Sequence, residues 1–219
     1  MKIVFAVIIL LAGFTFAIAQ HEYSPLKEFE LKYKNWTYKT VTDGKDVNLR
    51  EFAKDKKLVM VVYFASWCPN WKNQAPFTQK LYDKYKDKGF DVIGVSEYAA
   101  LADTKQNLTD KKITFTVVSE SDSKASKQAT PHYEYRQKTG DTRSWGSPWN
   151  IFIEKANYKK KGDEIVKKAF VVNGELIESE VEKFIRQKLG LPAEEPKIVA
   201  KDDKKVEVCS DEPVTLKKP

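Results

Sequence analysis

The strongest constraint on this chain is a change of period within its N-terminal half. Residues 58–64 are all apolar or aromatic, with no polar alternation. A strand with no polar face has to be covered on both sides, which places it inside a partly parallel sheet. Over 68–86 the pattern becomes helical. Trp71, Ala75, Leu81, Tyr82 and Tyr85 share one face, while lysines and Asp83 take the remainder. Gly89 closes that helix. A buried strand running straight into an amphipathic helix begins a strand–helix–strand unit.

The unit continues downstream. Residues 91–95 read as a second buried strand, 101–112 as a weakly amphipathic helix and 113–118 as a third strand. Upstream, Trp36, Tyr38 and Val41 precede a turn at Asp43-Gly44, so 33–48 read as a small hairpin. Residues 49–54 read as a short helix and 20–30 as a polar lead-in. Residues 119–147 show no clear period. Residues 149–153 and 165–172 read as an antiparallel pair across a lysine-rich loop. Val181, Phe184, Ile185 and Leu189 stripe a last helix ending at Gly190. The expectation is a mixed central sheet flanked by helices, an α/β domain over 20–190. A charged, proline-bearing tail, 191–219, follows it.

The first residues read as an address, not as fold. Lys2 precedes an apolar run over 3–14, and Ala17-Ile18-Ala19 then sets small residues two apart. That layout predicts a signal peptide over 1–19, cut after Ala19. The run is short for a bilayer span, so no membrane span is expected after cleavage. The expected destination is periplasmic or secreted, an oxidising space. Only Cys68 and Cys209 are present, too few for a disulfide scaffold. The net charge of +7 arises from 38 basic and 31 acidic residues mixed along the chain. Even the densest basic run, Lys159-Lys160-Lys161, reads as a solvated loop, so no nucleic-acid partner is expected.

Chemistry concentrates at one place. Trp67-Cys68-Pro69-Asn70-Trp71 follows the buried strand, and Pro76 lies eight positions after Cys68. Gly146-Ser147-Pro148 precedes the late strand that starts at Trp149, and Asp43-Gly44-Lys45 sits in the hairpin. This set resembles the thioredoxin superfamily, and within it the exported thiol-disulfide oxidoreductases typified by TlpA and ResA, over roughly 29–190. The resemblance implies a thioredoxin-like fold with an N-terminal β-hairpin, and Cys68 as the catalytic nucleophile. Trp67, Pro69, Asn70 and Trp71 would form its motif. It also implies a cis Pro148, with Ser147 presenting backbone to an extended substrate and Trp149 beside it.

The family's second cysteine is Trp71 here. At a helix N-terminus, unpaired N–H groups and the helix dipole favour thiolate over thiol. Such a thiolate attacks a disulfide and forms a mixed disulfide, which a second sulfur normally resolves. Trp71 cannot do so. Release then falls to an external thiol or to Cys209, the possible resolving residue or bridge partner. The expected partners are exported proteins bearing thiols or disulfides, or a low-molecular-weight thiol. No cofactor is required. The alternative is a non-catalytic binding module that grips a partner through an aromatic wall of Trp67, Trp71, Trp145 and Trp149.

Neighbouring chemistries fit less well. Copper-delivering relatives need a second cysteine where Trp71 and Lys72 stand, so no metal site is expected. Peroxidase relatives carry a threonine three residues before their cysteine, and this chain has Ala65. Asn35-Trp36-Thr37 and Asn107-Leu108-Thr109 match the glycosylation triplet, which is common by chance.

Overall fold

The computed structural model describes residues 21–192. Ten strands and five α-helices occur among them: β1 (Tyr23–Ser24), β2 (Lys27–Lys34), β3 (Thr37–Thr40), β4 (Asp46–Asn48), α1 (Leu49–Ala53), β5 (Leu58–Phe64), α2 (Pro69–Tyr85), β6 (Phe90–Ser96), α3 (Leu101–Asp110), β7 (Thr116–Ser119), α4 (Pro131–Lys138), β8 (Trp149–Glu154), β9 (Glu164–Val172), β10 (Glu175–Leu176) and α5 (Glu178–Leu189). The central sheet has eight strands in the order β2-β9-β8-β5-β6-β7-β3-β4. Strands β5, β6 and β7 run parallel. The β8 and β9 pair and the β3 and β4 hairpin are antiparallel. This is the mixed, thioredoxin-like α/β sheet that the resemblance implies.

Strand β5 explains the period switch. All seven of its residues are buried. Leu58, Met60, Val62 and Phe64 enter one core with Trp71, Ala75 and Leu81 of α2 and Val181, Ile185 and Leu189 of α5. Val59, Val61 and Tyr63 enter the opposite core with Leu49 and Ala53 of α1 and Tyr135 of α4. Two-sided cover is why the strand could dispense with polar residues. Strand β5 pairs on both edges, with β6 and β8, so its C-terminal end emerges at mid-sheet.

Two expectations need correction. The lead-in over 20–30 is not irregular: β1 pairs in parallel with β10, and β2 pairs antiparallel with β9 along the sheet edge. Phe29, Leu31 and Tyr33 alternate inward, between lysines and glutamates that face solvent. The stretch without clear period contains α4, capped by Thr130, whose side chain accepts from the Tyr133 N–H. Pro131 at its first position suits a helix start. The expected signal peptide, the tail beyond Pro192 and Cys209 lie outside the described residues.

Candidate active site

Cys68 sits where β5 has ended and α2 begins. Its backbone is extended (φ −71°, ψ 127°), making it the N-cap of a seventeen-residue helix. The Cys68 N–H donates to the Ala65 carbonyl at 2.9 Å, and the Cys68 carbonyl accepts from Lys72 N–H at 3.1 Å. Pro69 follows at the first helical position, where its missing N–H costs nothing. The sulfur therefore stands at the positive end of the helix.

Opposite it is the bend before β8. The Ser147–Pro148 peptide is cis, as the resemblance implies. The Cys68 thiol donates to the Ser147 carbonyl at 3.1 Å, and the Ser147 hydroxyl accepts from the Ala65 N–H at 2.9 Å. These two bonds seat the bend over the sulfur, so Cys68 is only 7% exposed. A reactive thiol calls for some access, and here the bend leaves little of it.

A buried ionic network underpins the bend, and sequence reasoning missed it. Asp141 accepts from Arg136 Nε at 3.1 Å and from Arg143 Nη2 at 2.8 Å. Arg143 also donates to the Pro148 carbonyl at 2.9 Å and to Glu22 at 3.1 Å. Arg136 donates to the Arg143 carbonyl as well. Burial raises the Asp141 carboxyl, but Arg143 and Arg136 outweigh it and leave it below the usual carboxylate range. The same Glu22 accepts from Asn70 at 2.9 Å, so the segment entering β1 ties the motif helix to the bend. Gly146 passes so close to the Arg136 guanidinium that only glycine fits. The Gly-Ser-Pro triplet was the one sequence signal of this network.

The four tryptophans do not form one wall. Trp71 is fully buried, stacked on Phe64 at 4.1 Å, and its indole donates to Asn107 Oδ1 at 3.0 Å. Trp149 is also fully buried and donates to Asn173 at 2.8 Å. Their helix-face and strand-face positions turn them inward. Trp149 therefore supports the bend from beneath, and its ring is not on offer to a substrate. Trp67 and Trp145 remain at the surface, half-buried, edge to face at 5.3 Å. Asn107, held by Trp71 and the Ser66 carbonyl, is buried and ill-placed as a glycan acceptor.

Beside the site lies a buried polar cluster. Glu97, at the end of β6, accepts from the Ser121 hydroxyl at 2.7 Å and is fully enclosed. Burial, then the charge of Glu120, pushes its carboxyl well above the ordinary range. Tyr38 donates to Glu120. His132 stacks on Tyr63 at 4.7 Å and meets the Tyr98 hydroxyl at 3.1 Å. Burial, then Arg136, holds its imidazole well below the ordinary range. Among the described residues no group of three His, Cys, Asp or Glu side chains could hold a metal ion.

Comparison with known proteins agrees with this geometry. The AhpC/TSA family matches residues 24–144, more than half of the chain. A thiol-disulfide oxidoreductase ResA of Bacillus cereus is 32% identical over 101 residues, covering 43% of this chain and 56% of that protein. Peroxiredoxin Q, chloroplastic, of Triticum aestivum is 32% identical over 118 residues, 54% of this chain and 46% of that protein. The chain thus spans less than two thirds of the length of the curated relatives it matches. Among solved structures, a thiol:disulfide interchange protein DsbE from Chlorobium tepidum superposes with TM-score 0.51 at 20% identity, over 78% of this chain and 100% of that one. A thiol:disulfide interchange protein from Bacteroides sp. gives 0.52 at 20% identity, over 81% and 96%. At these identities the structures speak for the fold alone.

Proposed function

Because this chain belongs to the AhpC/TSA family, we propose that it is a thiol-disulfide oxidoreductase of the thioredoxin fold that works through the single sulfur of Cys68. The observation that carries this reading is the Cys68 thiol, at the head of α2, 3.1 Å from the carbonyl that precedes the cis proline.

The chemistry follows from that contact. As a thiol, Cys68 occupies the Ser147 carbonyl; as a thiolate it cannot donate, and the carbonyl is freed to accept a backbone N–H from an extended substrate. The thiolate attacks one sulfur of the substrate disulfide. A Cys68–substrate disulfide forms, and the other substrate sulfur leaves as a thiolate. A second thiol, external or Cys209, then attacks the Cys68 sulfur of the mixed disulfide and expels the substrate as a thiolate. The Cys68–external or Cys68–Cys209 disulfide so formed is reduced by a further external thiol, which is oxidised to a disulfide and returns Cys68 reduced. Trp71 takes no part beyond packing. Ala65 stands where peroxidase relatives carry threonine, which directs the reading to disulfides rather than peroxides. The proposed setting is the periplasm or the secretory route. Residues 1–19 are the proposed signal peptide, 20–190 the working domain and 191–219 the tail. No helix among the described residues is long and apolar enough to cross a membrane.

The bend that covers Cys68 favours one second reading, a binding module whose thiol is structural. A neutral small disulfide, dithiodipyridine, separates the two. The folded Cys209→Ser variant should release one equivalent of thiopyridone, and the Cys68→Ala, Cys209→Ser variant none. Release only after denaturation would refute the oxidoreductase reading in favour of the binding module.

A further inference from the structure

We propose that Trp67 and Trp145, with Lys124 and Lys127 above them, form a docking surface for extended polypeptide segments that carry acidic side chains near their reacting sulfur. The proposal rests on the reading of Cys68 just given and names the substrate class of that site.

The platform is fixed. The Trp67 indole donates to the Tyr98 carbonyl at 3.0 Å, and Tyr98 backs Trp145 at 5.5 Å between ring centres. Tyr98 is itself buried and held by His132. Onto this pair folds the helical turn Lys124–Ala129, capped by Ser123. It places the Lys124 ammonium 4.5 Å from the Trp67 ring centre and 5.8 Å from that of Trp145. The Lys127 ammonium lies 4.8 Å above Trp145.

Two features then choose the partner. The ring faces already carry lysines, so what the surface presents outward is positive charge with aromatic edges, not an open stacking face. Neither ammonium has an ion-pair partner among the described residues. Some exposed lysines elsewhere meet carboxylates, as Lys39 meets Asp46 and Lys54 meets Glu51, whereas these two are held over ring faces beside the sulfur. The carboxylate nearest in sequence, Asp122, is exposed and pairs with neither lysine. The rings hold both lysines in place, so a carboxylate that docks orders less side chain than at a free lysine. Location supplies the rest. Trp67 precedes Cys68 directly, and Trp145 lies on the bend that would pair with a substrate backbone. A segment lying along Ser147 therefore passes this charge within a few residues of its reacting cysteine.

The test uses the full chain and three fluorescent peptides of one length, each with serine for cysteine: one rich in Asp and Glu, its Asn/Gln counterpart and a Lys-rich version. Anisotropy should show the acidic peptide binding about tenfold more tightly than the neutral one at low salt. The preference should vanish at high salt and in Lys124→Gln, Lys127→Gln. Equal binding of all three peptides, or acidic binding undiminished in the double variant, overturns the proposal. Because the peptides lack sulfur, this result is independent of Cys68 chemistry. Reaction with dithiodipyridine, an uncharged probe, should be unaltered in the double variant. Failure of that reaction in the wild type would sink the oxidoreductase reading without touching the peptide result.

Discussion

Replacing Gly146 by alanine tests the seat of the bend directly. Gly146 has φ +56°, and a β-carbon there would lie 1.7 Å from Arg136 Nε and 2.2 Å from Cζ. Something must move. If the guanidinium yields, its buried pair with Asp141 breaks, at about 3–5 kcal/mol. If the bend lifts instead, it loses the Cys68–Ser147 and Ala65–Ser147 hydrogen bonds, each about 1 kcal/mol. Both routes share a left-handed β-carbon penalty of about 1–2 kcal/mol. Lifting is the cheaper route, so Gly146→Ala should lose about 3–4 kcal/mol in urea unfolding and should alkylate Cys68 several-fold faster with iodoacetamide. The measurements belong in a Cys209→Ser background. In an Arg136→Ala background the alanine should cost less, with a coupling of at least about 0.5 kcal/mol. A stability within about 0.5 kcal/mol of wild type together with unchanged alkylation would refute the close approach. A large loss with unchanged alkylation would show that the guanidinium yields instead.

Other residues give further expectations. Trp71→Phe keeps the stack on Phe64 but strands Asn107 Oδ1, so urea unfolding should show a loss of about 1–3 kcal/mol; no measurable loss would mean the indole bond contributes nothing. Glu97 holds its proton above the ordinary carboxyl range, so its contribution to stability is full below about pH 4.3 and is lost as pH rises through the raised value. Unfolding across pH should therefore show a fall on the rising side that Glu97→Gln flattens, and an unchanged slope would refute the assignment. His132 acts in the opposite direction. Its imidazole is held neutral below its ordinary range, so stability is lost as pH falls below about 6.5, and His132→Gln should flatten that limb; a limb of the same steepness in the variant would place the titration elsewhere.

Much of the scaffold could be read from residue order because burial writes itself into periodicity. Strand β5 lacks polar residues because it is covered twice, and the stripe on α2 already put Trp71 beside Ala75, facing inward. The aromatic wall asked that same residue to face outward, and packing settled it. Strand β2 was legible too, in Phe29, Leu31 and Tyr33, but the lysines and glutamates between them have low strand propensity and hid the alternation. The Arg136–Asp141–Arg143 network and the Glu97–Glu120–His132 cluster left no comparable trace. Arg136 and His132 come from α4 and the other members from strand ends and loops, and nothing local to each residue says what the fold will set beside it. The sulfur and its opposing proline were legible as a motif, whereas the extent of cover over the sulfur was not.

An open sheet has two rims, here the three-residue β4 and the longer β2. Its solvent-side residues are Lys27, Glu28, Glu30, Lys32 and Lys34, and its pairing slips between Glu30 and Tyr33, where Lys32 adopts φ +49°. A neighbouring chain seeking to add a strand there would have to strip water from alternating charges and follow a broken ladder. That rim discourages self-stacking at high local concentration. On the function proposed above, an extended guest finds its backbone partner beside the bend rather than along β2.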